Sequence, residues 1–101
     1  MVMNAPKTKH TNTKIYEDSF MELKRIKEAT GLSHGTVMKL IVECDVTVDD
    51  LLNKDFKQTT SEIHFVQITR ECLDELKESN TLDTTLIKLL SLKIKKFGTK
   101  V

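Results

Sequence analysis

The sequence predicts a mainly α-helical protein with one two-stranded antiparallel β-ribbon, in which the order strand–helix–helix occurs twice. Three observations predict it. The stretches KHTNTKIY and EIHFVQIT have strand character, and each is followed by two runs with apolar residues at helical spacing. Glycine occurs three times and proline once in 101 residues, which argues against long irregular loops. The halves also superpose: Ile15 set on Ile68 brings Phe20 onto Leu73 and Leu23 onto Leu76, and TVMKLI at 36–41 resembles TLIKLL at 85–90. On that superposition the turn between the paired helices is about one helical turn shorter in the second half.

Residues 1–8 are expected to form a flexible basic arm. The first strand covers 9–16, where alternation places Thr11, Thr13 and Ile15 on one side and His10, Asn12 and Lys14 on the other. DSFMELKRIKEATG then reads as a helix. Asp18 or Ser19 is its expected cap, Phe20, Leu23 and Ile26 share its apolar face with the stem of Lys27, and Gly31 ends it. A second helix follows Ser33, with Val37, Leu40, Ile41 and Cys44 at helical spacing. These elements make a first unit at 9–46.

Residues 47–61 read as a connecting segment. It has a short helix capped by Thr47, and Leu51, Leu52 and Phe56 are its expected anchors. The second unit, 62–98, repeats the order. Its strand leads into RECLDELKESN with Cys72, Leu73 and Leu76 inward. Its last helix is expected to be capped by Thr81 or Asp83, to present Leu86, Leu89, Leu90, Ile94 and Phe97, and to close at Gly98. Residues 99–101 are a tail.

Composition narrows the function. No apolar run approaches the roughly 20 residues of a membrane span. The N-terminal stretch lacks an apolar core of signal-peptide type, so a cytoplasmic location and no membrane partner are expected. Net charge is +1, but it is unevenly spread. Lys7, Lys9 and Lys14 lie in an acid-free N-terminal stretch, and Lys93, Lys95, Lys96 and Lys100 in an acid-free C-terminal one. Glu43, Asp45, Asp49, Asp50 and Asp55 gather between them. Charge alone leaves phosphate contact and plain solvation equally open. For Lys93, Lys95 and Lys96 a solvated helix end is the preferred reading.

Cys44 and Cys72 are far apart, without the spacing of a zinc or redox pair, and Cys72 reads as a buried small hydrophobe. His10, His34 and His64 have neither metal-ligand spacing nor a nucleophile to activate, and His34 taken alone reads as a surface residue. Asp49 and Asp50 are adjacent and point apart, and no glycine-rich phosphate cradle is present. No enzyme activity, cofactor or metal is expected.

A lone strand leaves its backbone groups unpaired, so the two strands are expected to pair antiparallel above the four main helices. One ribbon face meets the core, and the other is free to enter a DNA major groove. The stretch TNTKIYEDSFMELKRIKEATGLSHGTVMKLIVE, with Ile15 as the last inward strand residue followed by Phe20, Leu23, Ile26 and GLS, resembles the ribbon-helix-helix (Arc/MetJ/CopG-type) DNA-binding family. The likeness covers about residues 10–44 well and 62–97 less well. Family members are usually dimers of one short copy. Two copies in one chain resemble a tandem, fused pseudo-dimer, as in TraY-type relaxosome accessory proteins of conjugative plasmids.

The resemblance implies base reading by outward strand residues: His10, Asn12 and Lys14 in the first copy, and Ile63, Phe65 and Gln67 by position in the second. Chemistry agrees for Asn12 and Gln67, which suit an adenine edge, and for Lys14, which suits guanine. Ile63 and Phe65 depart from the pattern and fit thymine methyls or a partner. A slipped register, with His64 and Val66 outward and a bulge before Cys72, is the rival arrangement. The resemblance also implies phosphate contacts at the N-termini of the second helices, mapping to Ser33, His34, Gly35 and Thr36, and to Thr84 and Thr85 after Asp83. Lys7 and Lys9 join them from the arm.

The expected partner is therefore double-stranded DNA, bound by a monomeric pseudo-dimer that assembles further on neighbouring sites. Plasmid transfer, with a relaxase or other DNA-processing protein as a further partner, is slightly preferred by analogy over plasmid or phage transcriptional regulation. The alternative is a protein-interaction module of the same fold that does not read DNA.

Overall fold

The chain satisfies its strand backbones by pairing them with each other. In the computed structural model, which describes residues 9–101, β1 (His10–Tyr16) runs antiparallel to β2 (Ile63–Thr69). The expected arm at 1–8, with Lys7, lies outside the described residues. Thr13 faces Val66 at the middle of the ladder, and the shift that carries Ile15 onto Ile68 also carries Thr13 onto Val66. The ladder is therefore symmetric about this pair. Its outermost bonds obey the same relation: Glu17 N–H donates to the Glu62 carbonyl and Arg70 N–H to the Lys9 carbonyl, both at 2.9 Å.

Each strand leads without a loop into a helix. α1 (Glu17–Thr30) follows β1, and α4 (Arg70–Glu78) follows β2. Tyr16 is still extended, so α1 starts at Glu17, ahead of the expected cap at Asp18 or Ser19. Those two side chains have other work. The Asp18 carboxylate holds Lys95 and Thr59, and the buried Ser19 hydroxyl donates to the Ser91 carbonyl. Gly31 ends α1 in the left-handed region, at φ 68°, which glycine adopts without steric cost.

α2 (His34–Glu43) and α5 (Leu86–Gly98) close the two halves. Ser33 caps α2 by accepting the Thr36 N–H, and Thr85 caps α5 by accepting the Lys88 N–H. The expected cap at Thr81 or Asp83 is therefore corrected to Thr85. Thr85 is itself extended, at ψ 155°, so the helix starts only after it, and Asp83, at φ 52°, is left-handed and cannot be the helical residue that a cap at Thr81 would make it. The turn between helices is also not shorter in the second half. α4 has 9 residues against 14 in α1, and the link to α5 is correspondingly longer. Gly98 does not close α5 as Gly31 closes α1: it is the last helical residue, Thr99 is the cap, and a Cβ at Gly98 would run into the Glu22 carboxylate.

Counted from their caps, Val37, Met38, Ile41 and Val42 of α2 match Leu89, Leu90, Lys93 and Ile94 of α5, and all eight are buried. Met38 and Val42 take the place expected for Leu40, which is exposed. Ile15, Leu23 and Ile26 join one cluster with Val66, Ile68 and Leu76. Neither half has a core of its own. Each such side chain contributes about 1.5–3 kcal/mol on burial, and the cluster that buries it draws on both halves.

The connecting segment carries α3 (Val48–Leu52), where Thr47 and Asp50 cap each other's backbone, and a single 3-10 turn at Lys54–Phe56. Leu51 and Leu52 are exposed rather than anchored, Leu52 at 75%, and only Phe56 is partly covered. Polar contacts hold the segment instead. Lys96 reaches Asp50 at 2.6 Å, and Lys95 bonds both Asp18 and the Lys57 carbonyl. Among the described residues no helix is long and apolar enough to cross a membrane.

Candidate nucleic-acid interface

Side chains alternate across a strand, so burial of one set exposes the other. Ile15, Val66 and Ile68 are buried against the helices, which turns His10, Asn12, Lys14, Ile63, Phe65 and Gln67 outward, all exposed. The slipped register is excluded. Val66 is buried, His64 stacks on Phe20 with ring centroids 4.4 Å apart, and the ladder runs without a bulge.

Across the ribbon Asn12 lies opposite Gln67, Lys14 opposite Phe65, and His10 opposite Thr69. The two amides sit side by side next to the central pair, with donors and acceptors facing solvent. Lys14 Nζ lies 5.7 Å from the centroid of the Phe65 ring, in cation–π range. Phe65 is 65% exposed and Ile63 49%, unusual for large apolar groups with a core directly beneath them.

The first turn of α2 lies against the ribbon. His34 Nε2 is 2.7 Å from the Gln67 carbonyl oxygen, so a proton on that nitrogen donates to it. This bond joins the helix start to the strand that carries Gln67. Ser33 Oγ accepts the Thr36 N–H at 3.3 Å and donates to Thr36 Oγ1 at 2.9 Å. The amides of His34 and Gly35 have no acceptor among the described residues, as expected for the opening of a helix. Nothing lies within 4 Å of where a Gly35 Cβ would sit, so this turn is open to an incoming group.

The equivalent turn of α5 is built differently. Thr85 is the cap, and the Thr84 carbonyl is taken by Asn80 Nδ2 at 2.7 Å. Exposed Lys88 stands where α2 has Thr36. Lys88 and Arg70 are exposed cations that sequence reasoning passed over. Lys88 would have been found by counting from Thr85 as cap. Arg70 follows β2 directly, beside Lys9 at the ribbon end.

The C-terminal lysines are a correction. Lys93, Lys95 and Lys96 are not a solvated helix end. Lys93 is 2% exposed and donates to the Val42 and Cys44 carbonyls, while Lys95 and Lys96 are paired with Asp18 and Asp50. The fold also gathers Glu17, Glu62 and His64, whose donor atoms all lie within 4.8 Å of one another. The bond with Glu62 and partial desolvation push the Glu17 carboxyl above its ordinary range. His64 had shown no such partners in the sequence, because the trio forms only when β1 and β2 pair.

No family model, curated protein or solved structure matches the chain.

Proposed function

We propose that the protein binds double-stranded DNA in a sequence-specific way, by laying the outer face of its ribbon in the major groove. The observation that carries the proposal is the exposed Asn12–Gln67 pair, flanked by His10 and Lys14, on an otherwise well-packed two-stranded ribbon. A ribbon of this kind fits a groove about 12 Å wide. Its amides can bond adenine N6 and N7, and Lys14 can donate to guanine. The opening turn of α2, at Ser33, His34, Gly35 and Thr36, is positioned by the His34–Gln67 bond to take a backbone phosphate, with Lys9 adding charge at the ribbon end. On α5 the phosphate role falls to Thr85 and Lys88 more readily than to Thr84.

This reading makes the chain a tandem ribbon-helix-helix protein, a pseudo-dimer within one polypeptide. Supporting it are the ladder symmetric about Thr13 and Val66 and the matching buried positions of α2 and α5. By analogy the setting is plasmid transfer, with a relaxase or other DNA-processing protein nearby, or plasmid or phage transcriptional control.

A second reading is favoured by one observation. Ile63 and Phe65 expose apolar surface on the same face, as a protein-binding module would. A gel-shift titration separates the two. Random and selected duplexes are titrated at two salt concentrations. DNA binding predicts retention at low salt, weakening linearly in log–log form as salt rises, and a preference for the selected duplex. Absence of any shift at low salt sinks the DNA reading and leaves the protein-binding one.

A further inference from the structure

We infer that the DNA site is not a palindrome and that the protein docks on it in one orientation. The inference rests on the DNA-binding reading and deepens it.

The ribbon backbone is symmetric, but its outward side chains are not. Rotation about the Thr13–Val66 pair exchanges His10 with Ile63, Asn12 with Phe65, and Lys14 with Gln67. No exchanged pair shares its chemistry. On one side of the central pair the outer face holds His10, Asn12 and Gln67. On the other it holds Lys14, Phe65 and Ile63. The first half is amide-rich and imidazole-flanked, and its hydrogen bonds match adenine N6 and N7. The second half is apolar around one cation. Phe65 and Ile63 have no donor or acceptor, so the groove feature they can contact favourably is the thymine C5-methyl. Lys14, held over the Phe65 ring, supplies donors for an adjacent guanine.

A palindrome presents identical edges to both halves. An A·T pair carries both an adenine edge and a thymine methyl, so the conflict lies at Lys14 and Gln67, which the rotation exchanges: a palindrome that sets guanine under Lys14 also sets it under Gln67, whose amide suits adenine. A donor or acceptor left there without its partner loses its hydration, which is unfavourable. The matching duplex has adenines under one half and a thymine beside a guanine under the other. The phosphate-contacting turns add affinity without adding sequence preference.

The test is selection from a random duplex pool with the full chain, run beside a variant whose second strand copies the first on the outer face: Ile63→His, Phe65→Asn and Gln67→Lys together. These positions are exposed, so the variant should fold, which a thermal melt confirms. The wild type is expected to select a non-palindromic motif, and the variant a palindrome. Each misplaced half-contact should weaken binding by roughly 5- to 150-fold. Replacing thymine by uracil under Phe65 should weaken the wild type but not Phe65→Ala. A palindrome selected by the wild type, or indifference to uracil, overturns the inference while leaving DNA binding intact. Failure to enrich any motif in the presence of low-salt binding overturns base reading itself, and the inference with it.

Discussion

The ammonium of Lys93 donates to the Val42 carbonyl at 2.8 Å, and so joins the middle of α5 to the end of α2. The same nitrogen reaches the Cys44 carbonyl at 2.8 Å. The last carbonyls of a helix have no partner within it, and here a side chain from the other half of the chain supplies one. Ile41 holds the matching place on α2. One half thus has an aliphatic side chain where the other has a cation.

Lys93→Met keeps most of the side-chain volume and removes the donor. Two buried carbonyls lose their partner, at a cost of about 1–3 kcal/mol. Burial holds the Lys93 pKa below the ordinary lysine range, although Cys44, Asp45 and Glu75 pull it up. The unfolded chain then binds the proton more tightly than the folded one. Stability therefore rises with pH as the ordinary lysine value of about 10.4 is approached from below. Denaturant melts across that range should show a steeper rise for the wild type than for Lys93→Met. Equal slopes would mean that Lys93 titrates as it does in the unfolded chain.

Asp18 is the acid-side counterpart. Burial pushes its carboxyl up, but bonds from Lys95 and the Thr59 backbone outweigh this, and the net shift is downward. A carboxyl held low in the fold stabilises it above the unfolded value of about 3.9, and that contribution fades as pH falls through the folded value. Asp18→Asn should lower stability at neutral pH by about 1–3 kcal/mol. It should also flatten the loss of stability below about pH 4. An unchanged acid limb in thermal melts would rule Asp18 out as a contributor.

Ser91 joins α5 to the ribbon. Its hydroxyl accepts the Tyr16 N–H at 3.1 Å, and its carbonyl accepts the Ser19 hydroxyl at 3.1 Å. Ser91→Ala leaves the Tyr16 amide without its acceptor where β1 passes into α1. The expected cost is about 1–2 kcal/mol, read as a shift in the denaturation midpoint at unchanged slope.

What was legible in the sequence was local. Alternation around Ile15 and helical spacing at Leu23, Ile26 and Leu76 are written in consecutive residues, and the burial follows them. The strand pairing came from a count of unmet backbone bonds, which is also a local argument. Lys93 was misread because its partners lie about fifty residues away and no nearby residue announces a buried cation. Thr85 is not singled out as a cap because Thr81 and Asp83 have equally good capping chemistry, and the extended Thr85 backbone, which delays the helix to Leu86, decides among them. On the candidate interface, Asn12, Lys14 and Gln67 were found by phase alone. The His34–Gln67 bond that ties the opening turn of α2 to the ribbon depends on tertiary geometry.

The two faces of β1 make opposite predictions. Asn12 and Lys14 are exposed and their side chains make no hydrogen bond to the protein among the described residues, so replacing either with alanine should change stability by less than about 0.5 kcal/mol. Each should nonetheless weaken binding to a selected duplex by about 1–3 kcal/mol, with discrimination lost at the base it contacts. Thr13 is turned toward the helices at the centre of the ladder, opposite buried Val66. Thr13→Lys must either force a charged side chain toward the core or twist the strand, and should cost about 1–3 kcal/mol of stability. Thermal melts and DNA titrations on the same three variants check both sides. If Asn12→Ala or Lys14→Ala unfolds the protein, the outer face is structural. If Thr13→Lys melts with the wild type and binds DNA more tightly, the inward face has been misassigned.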